Sequence, residues 1–178
     1  MGKLAAQMVK GRPELIKIVM VGKTSEEDWC EKKFDVPFSY QPFTIAGIKG
    51  FLAENLKETV TFINAPYFAK DRNINVEEAK TDQFDKFNDL VLLTVRTDIE
   101  ERSFAGTVFP DKLGRIVLLD RFHLDMIPEG TFLHFRIFDR PGIIGKVGTI
   151  LGNHSINIFI QYQLFKRWIR FTTFIPIH

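Results

Sequence analysis

The 178-residue chain contains a single cysteine, Cys30, so no disulfide can form within it. A chain of this kind is expected in a reducing compartment, the cytoplasm. No apolar run approaches the roughly 20 residues of a membrane span. The first ten residues, M-G-K-L-A-A-Q-M-V-K, are too short and too polar for a signal peptide. The sequence therefore predicts a cytoplasmic protein without membrane contact.

The chain also lacks an excess of charge of either sign. Lys and Arg number 24 against 22 Asp and Glu, and the two signs are interleaved along the sequence. A nucleic-acid-binding surface requires clustered positive charge, so we expect no nucleic-acid partner. The hydrophobic fraction of 45% is that of an ordinary globular protein. At this length it predicts one or two compact domains.

Recognisable catalytic motifs are absent. No G-x-G-x-x-G follows a predicted strand, so a dinucleotide-binding fold is not indicated. The run Gly142–Thr149 lacks the spacing of a phosphate-binding loop, because Val147 follows Lys146 where a hydroxyl ligand for Mg²⁺ is needed. The histidines show no metal-ligand spacing, and one cysteine cannot complete a zinc site; they are His123, His134, His154 and His178. We expect no catalytic residues, no metal and no cofactor in this chain.

The hydrophobic pattern changes character along the chain. Helices are predicted at Leu4–Val9, from Pro42 onwards and from Ala65 to Ala69, strands at Ile16–Val21, Thr59–Asn64 and Asn73–Lys80, and a charged surface loop at Thr24–Pro37. Short β-prone runs separated by turn signals follow at Leu90–Thr97, Ser103–Phe109, Arg115–Leu119 and His123–Ile127. Alternating helices and strands followed by a run of strands indicate an α+β fold. The boundary between two modules is predicted at 128–130.

The segment from Thr131 to Asn157 has the clearest pattern. Apolar residues alternate through Thr131–Phe138, as in a strand, and Asp139-Arg140-Pro141-Gly142 ends it. Pro141 suits a first helical position, and the apolar residues after it recur at helical spacing. Glycines leave one side of this helix bare, so that another backbone can approach; they are Gly145, Gly148 and Gly152. The free N–H groups at its start favour an anion such as a carboxylate.

This D-R-P-G turn, the following I-I-G-K-V-G-T-I-L-G and the I-N-I after it resemble the start of an ACT domain, a module that senses small molecules. Four upstream segments resemble the region that precedes the ACT domain in long-form D-3-phosphoglycerate dehydrogenases; they are Gly2–Gly11, Phe62–Ile74, Arg102–Phe109 and Arg115–Asp125. The resemblance covers about residues 1–158. It implies an intervening, allosteric substrate-binding-like α+β domain at 1–129 and a truncated ferredoxin-like ACT βαβ unit at 130–178.

The resemblance also implies an L-serine site at the ACT-like turn. Asp139 occupies the position of a residue that takes the effector's ammonium group, and Asn157 that of an Asn at the start of the second strand. The effector's carboxylate would face the helix start at Gly142, Ile143, Ile144 and Gly145. Read without the family, Asp139 is a turn residue and Asn157 a polar strand edge. Ile137 stands where the family often has Tyr or His, which removes a contact and predicts weak serine binding.

A second implied site would bind phosphate-like anions near the boundary between the modules. Arg115 occupies one basic position of the family, whereas Ile127 occupies the other, and Arg121 or His123 are the candidates to replace it. Read from the residues alone, Arg115 is an exposed charge at a strand end. Lys70 and Arg72 are expected to be solvated helix charges.

The tail after Ile158 departs from the family pattern. Only about twenty residues remain, too few for both a second helix and a last strand, so a third strand or out-of-frame sequence is expected. An unpaired sheet edge favours association with another copy. The resemblance implies a regulatory fragment of an NAD-dependent oxidoreductase of L-serine biosynthesis, which binds effectors allosterically and forms homo-oligomers or joins full-length subunits. The alternatives are a non-sensing interaction module or partial gene product, and the regulatory subunit of an iron–sulfur L-serine dehydratase.

Overall fold

A computed structural model describes residues 1–22, 41–56, 58–82, 89–137, 141–157, 162–164 and 171–177. The predicted loop at Thr24–Pro37 lies outside these residues. The described helices are α1 (Gly2–Met8), α2 (Pro42–Asn55), α3 (Ala65–Asp71) and α4 (Ile143–Asn153). The strands are β1 (Pro13–Val21), β2 (Asn75–Thr81), β3 (Leu90–Thr97), β4 (Glu101–Val108), β5 (Gly114–Leu119), β6 (Phe122–Met126), β7 (Thr131–Ile137), β8 (Tyr162–Leu164) and β9 (Phe171–Ile177).

Six strands form the larger sheet, in the order β2-β1-β3-β4-β5-β6. Strands β1 and β2 run parallel, because α2 and α3 lie between them in the chain. The remaining neighbours are antiparallel, from β3 onwards as a meander of short connections. The sheet is therefore mixed, and its parallel pair, β1 and β2, lies at the β2 edge.

The core lies between this sheet and its helices. Apolar side chains of β1, β3, β4, β5 and β6 form one buried cluster with α1, α2 and α3; its largest strand members include Ile16, Ile18, Leu93, Phe104 and Met126. A smaller cluster contains Val21, Leu90, Ala105, Val117 and Leu118. Burial of this apolar area is the main contribution that stabilises the domain, at roughly 25 cal/mol per Å² removed from water.

Glycines bring α1 and α2 into direct backbone contact. A Cβ at Gly2 would lie 2.4 Å from the carbonyl oxygen of Gly47, and one at Gly50 would lie 3.3 Å from the Cα of Gly2. No larger residue fits at Gly2 without a shift of one helix. The sequence A-G-I-K-G in α2 therefore sets how closely α1 packs against α2.

A carboxylate from the neighbouring strand satisfies the start of α2. Glu78 of β2 accepts hydrogen bonds from the backbone N–H of Gln41, at 3.0 Å, and from the hydroxyl of buried Thr44. The first N–H groups of a helix lack partners within it, and the helix dipole favours negative charge there. Glu78 thus ties α2 to the edge strand.

Thr59–Asn64 is not a strand, contrary to the sequence prediction. Its last residues form a turn, held by the side chain of Asn64, which accepts from the N–H of Thr61 at 2.6 Å and donates to the carbonyl of Thr59 at 3.0 Å. Asn side chains compete in this way with strand hydrogen bonds. The β-prone composition is overridden because local hydrogen bonds precede the start of α3.

Three strands and α4 form the second, smaller sheet. Strand β9 lies between β7 and β8 and runs antiparallel to both. Strands β7 and β8 are therefore parallel and joined through α4, which is the split β-α-β arrangement of ferredoxin-like folds. The tail provides two short strands, rather than the single one expected. Strands and helices together confirm the α+β class, whereas the ACT assignment and the module boundary stay predictions.

Helix α4 begins two residues later than Pro141, which is not in the first helical position. Pro141 and Gly142 form a turn, and Gly142, with φ 85° and ψ −6°, is the residue before the helix. Those angles are the third position of a type II turn, which glycine adopts without strain, and proline is common before it. The prediction failed because a P-G pair favours this turn as strongly as proline favours a helix start.

Candidate functional site

The best-defined charged group among the sequence candidates is Arg115, at the start of β5. Its Nη1 donates to both carboxylate oxygens of Asp125, at 3.0 and 3.1 Å, and its Nη2 donates to Asp111 at 2.6 Å. The guanidinium carbon lies 4.9 Å from the ring centre of Phe109. Two carboxylates and an aromatic face therefore surround this cation.

These contacts change the acid–base properties of both partners. The hydrogen bonds that Arg115 donates to Asp125, and then those to Asp111, raise the pKa of Arg115. The backbone N–H of Leu113, followed by Arg115, lowers the pKa of Asp111. Arg115 also lines a largely apolar depression of about 330 Å³, together with Phe43, Gly106 and others. An anion that entered it would have to compete with the two carboxylates for the guanidinium.

The structure does not bring the other two anion-site candidates to Arg115. Arg121 is exposed in the turn between β5 and β6, and its guanidinium carbon lies 5.8 Å from the ring centre of Phe122. His123 is exposed and pairs in register with Leu118. Arg115 lies near the opposite end of β5, four residues from Leu119, or about 13 Å along an extended strand. Neither Arg121 nor His123 therefore supplies a second positive charge beside Arg115 in place of the basic residue that Ile127 replaces.

The start of α4 carries the candidate effector positions. Gly142 precedes the helix, and Ile143, Ile144 and Gly145 form its first turn. Ile143 is half-buried, whereas Ile144 and Gly145 are exposed. The carbonyl of Gly142 accepts from the N–H of Lys146 at 3.0 Å. The backbone N–H groups of residues 143–145 precede the first helical repeat and are the ones that lack helix partners.

Asn157 lies at the other end of that helix. Eleven residues at 1.5 Å per residue give α4 a length of about 16 Å. Gly142 lies just before this length and exposed Asn157 lies beyond it. Asp139 is outside the described residues. A single copy of the chain therefore separates the helix start from Asn157 by more than a small amino acid spans.

A cavity that the sequence did not predict lies among the carboxyl ends of α1, α2 and α3. Its volume is about 390 Å³, and two arginines, Arg12 and Arg72, are among its lining residues. Arg72 was expected to be a solvated charge, but its side chain is only 31% exposed and pairs with Glu58 at 3.4 Å. Local patterns carry no signal for such a cavity, since its walls come from distant parts of the chain.

The described residues contain neither a cluster of metal-ligating side chains nor a membrane-spanning helix. Within those ranges, no group of three or more His, Cys, Asp or Glu side chains lies close enough to hold a metal ion. None of the helices that the structure describes combines the length and the apolar character needed to cross a bilayer.

The fold defines a helix-covered mixed sheet followed by a split β-α-β unit, and sequence comparison gives the family. The family model of the D-3-phosphoglycerate dehydrogenase intervening domain matches residues 1–120, and the chain belongs to this family. The match ends within the Asp120 turn, after the first five strands of the larger sheet, all of them described here.

Curated relatives extend the similarity into the second sheet. D-3-phosphoglycerate dehydrogenase of Synechocystis sp. is 30% identical over 158 residues, which are 89% of this chain and 27% of that protein. The enzyme of Methanocaldococcus jannaschii is 29% identical over 160 residues, 89% of this chain and 28% of that protein. That of Bacillus subtilis is 32% identical over 115 residues, 65% of this chain and 22% of that protein. The chain spans about a quarter of the length of these relatives.

Proposed function

We propose that this chain is a non-catalytic regulatory region of an NAD-dependent D-3-phosphoglycerate dehydrogenase, active in L-serine biosynthesis. The observation that carries the proposal is the match of residues 1–120 to the intervening domain of that enzyme. The relatives bear the name of the dehydrogenase, and about three quarters of their length lies outside this chain. Oxidation of 3-phosphoglycerate and the NAD site belong to that remaining part.

The regulatory role consists of effector binding at the ACT-like unit. L-serine, or a related small amino acid, would place its ammonium group at Asp139 and its carboxylate at the helix start from Gly142 to Gly145. Asn157 lies beyond the far end of α4, so it would reach that effector only from a second copy of the chain. Effector binding and association of subunits would then be coupled.

Calorimetry with L-serine tests the effector site. A hydrogen bond to a charged group contributes about 1.5–3 kcal/mol, so Asp139→Ala should weaken binding about tenfold or more. Affinity should be low even in the original chain, since Ile137 removes a polar contact. Tight binding that Asp139→Ala leaves unchanged would place the effector elsewhere. No heat at millimolar L-serine would contradict the sensing role.

A turnover assay tests the non-catalytic assignment separately. The purified chain, incubated with NAD and 3-phosphoglycerate, should produce no NADH above the blank. The matched control is a full-length dehydrogenase relative under the same conditions, which shows that the assay detects turnover. Activity that persists after removal of host enzymes would refute the assignment.

A second candidate is an interaction module that only joins copies of the chain or full-length dehydrogenase subunits. It is favoured by the exposed apolar residues Ile144 and Ile150 on α4, of which 38% and 59% are accessible. It is also favoured by the two carboxylates on Arg115, which oppose a phosphate-like anion there. This function predicts self-association without any response to L-serine or phosphate.

A further inference from the structure

One aromatic side chain of β7 reaches from the smaller sheet to the core of the larger one. Phe132 pairs in register with Pro176 of β9, and its half-buried side chain packs against the buried cluster between the larger sheet and its helices. Leu4 and Met8 of α1 pack against the same cluster. Among the side chains described after Gly130, Phe132 alone belongs to an apolar cluster of the larger sheet. It therefore joins the β-α-β unit, formed by α4 and the smaller sheet, to that core.

The surroundings of Phe132 are not a continuous apolar interface. A cleft of about 770 Å³ lies between α1 and β7, lined by Leu4, Gln7 and Met8 on one side and by residues 131–134 on the other. Strand β8 also approaches β6, with Cα atoms within 8 Å. Domains that share a limited interface are expected to move relative to each other. A single packed side chain beside the cleft therefore has a large influence on how firmly the two parts are joined.

The connection between the two parts depends on backbone angles rather than on packing. Residues 127–130 separate β6 from β7, and the N–H of Glu129 donates to the carbonyl of Ile127 at 2.9 Å. Gly130 has φ 82°, and no described atom lies within 4 Å of a Cβ built there. Glycine adopts this angle and many others without strain. The connection by itself therefore does not hold the β-α-β unit in one orientation.

Helix α1, across the cleft from Phe132, is held firmly to the larger sheet. A Cβ at Gly2 would lie 2.4 Å from the carbonyl oxygen of Gly47, so α1 and α2 are in backbone contact. At the other end of α1, the Nη1 of buried Arg102 donates to the carbonyl of Met8 at 3.3 Å. Helix α1 cannot follow a displaced Phe132 without a shift of α2 or the loss of this hydrogen bond.

From this arrangement we propose that Phe132 couples the β-α-β unit to the larger sheet, so that a ligand that stabilises one of them also stabilises the other. Coupling of this kind is reciprocal, because it is a free energy shared by both parts. The effector site on α4 would use this link for regulation, and in that use the inference rests on the proposed function. The link itself depends only on packing, so unfolding without any ligand tests it separately.

The full 178-residue chain can be pulse-labelled with deuterium at increasing urea, and exchange followed by mass spectrometry. Strands β3 and β4 report on the larger sheet, whereas β7 and α4 report on the β-α-β unit. In the original chain both parts should open at one urea midpoint. In Phe132→Ala, β7 and α4 should open at a midpoint lower by about 1 M urea or more, since a large apolar contact is lost. Strands β3 and β4 should keep their midpoint.

Two further variants make the result specific. Phe62→Ala removes a phenylalanine that is 57% exposed and outside both apolar clusters, and it should leave a single midpoint. Phe132→Leu keeps an apolar side chain and should separate the midpoints less than Phe132→Ala. It decides the matter if the β-α-β unit of Phe132→Ala is open without urea, and a single midpoint in Phe132→Leu would then refute the link.

Three results would overturn the proposal. The first is an original chain whose two parts already open at separate midpoints. The second is a Phe132→Ala variant whose two parts still open together, at the original midpoint or a lower one, because coupling would then survive without Phe132. The third is a separation in Phe62→Ala as large as that in Phe132→Ala.

Discussion

At the scale of single residues, the most buried ion pair of an arginine among the described residues is the one between Arg102 and Asp120. Arg102 is buried, with its Nε 2.9 and 3.0 Å from the two oxygens of Asp120 and its Nη1 3.3 Å from the carbonyl of Met8. Asp120 also accepts from the N–H of Ser103 at 3.1 Å. This group joins the end of α1 to the turn after β5.

Arg102→Ala should lower the free energy of unfolding by about 3 kcal/mol or more, since it leaves Asp120 without its buried partner. Lys17→Ala is the control, because Lys17 and Glu77 are both more than 40% exposed and 3.6 Å apart. An exposed pair of that kind contributes at most about 1 kcal/mol. Urea unfolding of the three proteins measures the difference, and equal losses for the two variants would contradict the structural role of Arg102.

The contribution of Asp111 to stability should depend on pH. Its pKa is lowered in the folded chain, by the N–H of Leu113 and then by Arg115. Its stabilising effect is therefore complete above the ordinary carboxyl pKa and disappears as the pH falls through the lowered value. Asp111→Asn should destabilise the chain at pH 7 and have little effect near pH 2. A destabilisation that is the same at both values, measured by urea unfolding, would exclude this linkage.

At the scale of elements, two helices end in the same way. After α4, Ser155 has φ 57°, its N–H bonds to the carbonyl of Gly152 at 3.0 Å, and that of Ile156 bonds to Leu151 at 2.9 Å. The end of α3 repeats this pattern with Asn73 in the left-handed position. This is a Schellman motif, which favours glycine and tolerates asparagine better than serine.

Ser155→Gly should therefore stabilise the β-α-β unit formed by α4 and the smaller sheet by about 1 kcal/mol, because it removes the strain of a serine with positive φ. Asn73→Gly is the matched control and should change stability much less, since Asn adopts this conformation more readily. Thermal unfolding followed by circular dichroism gives both values. A loss of stability in Ser155→Gly would mean that the hydroxyl, rather than the backbone, matters at this helix end.

At the scale of the whole molecule, the bare side of α4 is the surface most suited to a second copy of the chain. Among the described residues, nothing lies within 4 Å of a Cβ built at Gly145, Gly148 or Gly152. No part of the chain that the structure describes covers this surface. Close approach of a second helix would bury the glycines together with exposed Ile144, which lies beside them on the helix.

Sedimentation at micromolar concentration should show a dimer or larger species. Gly148→Leu should shift it to monomer, since the added side chain blocks close approach. A Cβ at Gly148 meets no atom of the described residues within 4 Å, and leucine favours a helix over glycine by roughly 1 kcal/mol. Lys146→Ala, on the same exposed helix, is the control and should still associate. A monomeric original chain, or an unchanged dimer in Gly148→Leu, would contradict the assignment of this surface.

Much of the fold followed from local pattern. All six strands of the larger sheet lie within a few residues of predicted ranges, because alternating apolar residues and turn-forming pairs act over short distances. The strand predicted at Thr59–Asn64 is the exception, since it is a turn. Helix α4 ends at the Gly152-Asn153 pair, a local signal that is typical of helix C-termini. The start of that helix was misplaced, since Pro141-Gly142 satisfies two local rules at once and the turn prevailed.

The sequence by itself determined the α+β class and the positions of the candidate residues. Only the tertiary structure decided what those residues contact. Register across β5 and β6 brings Asp125 to Arg115 and leaves Arg121 at the far end of the hairpin. The cavity beside Arg72 arises where three helix ends meet the start of β1 and the end of β3. Such contacts join residues distant in the chain, so they depend on register and packing, which short-range periodicity does not encode.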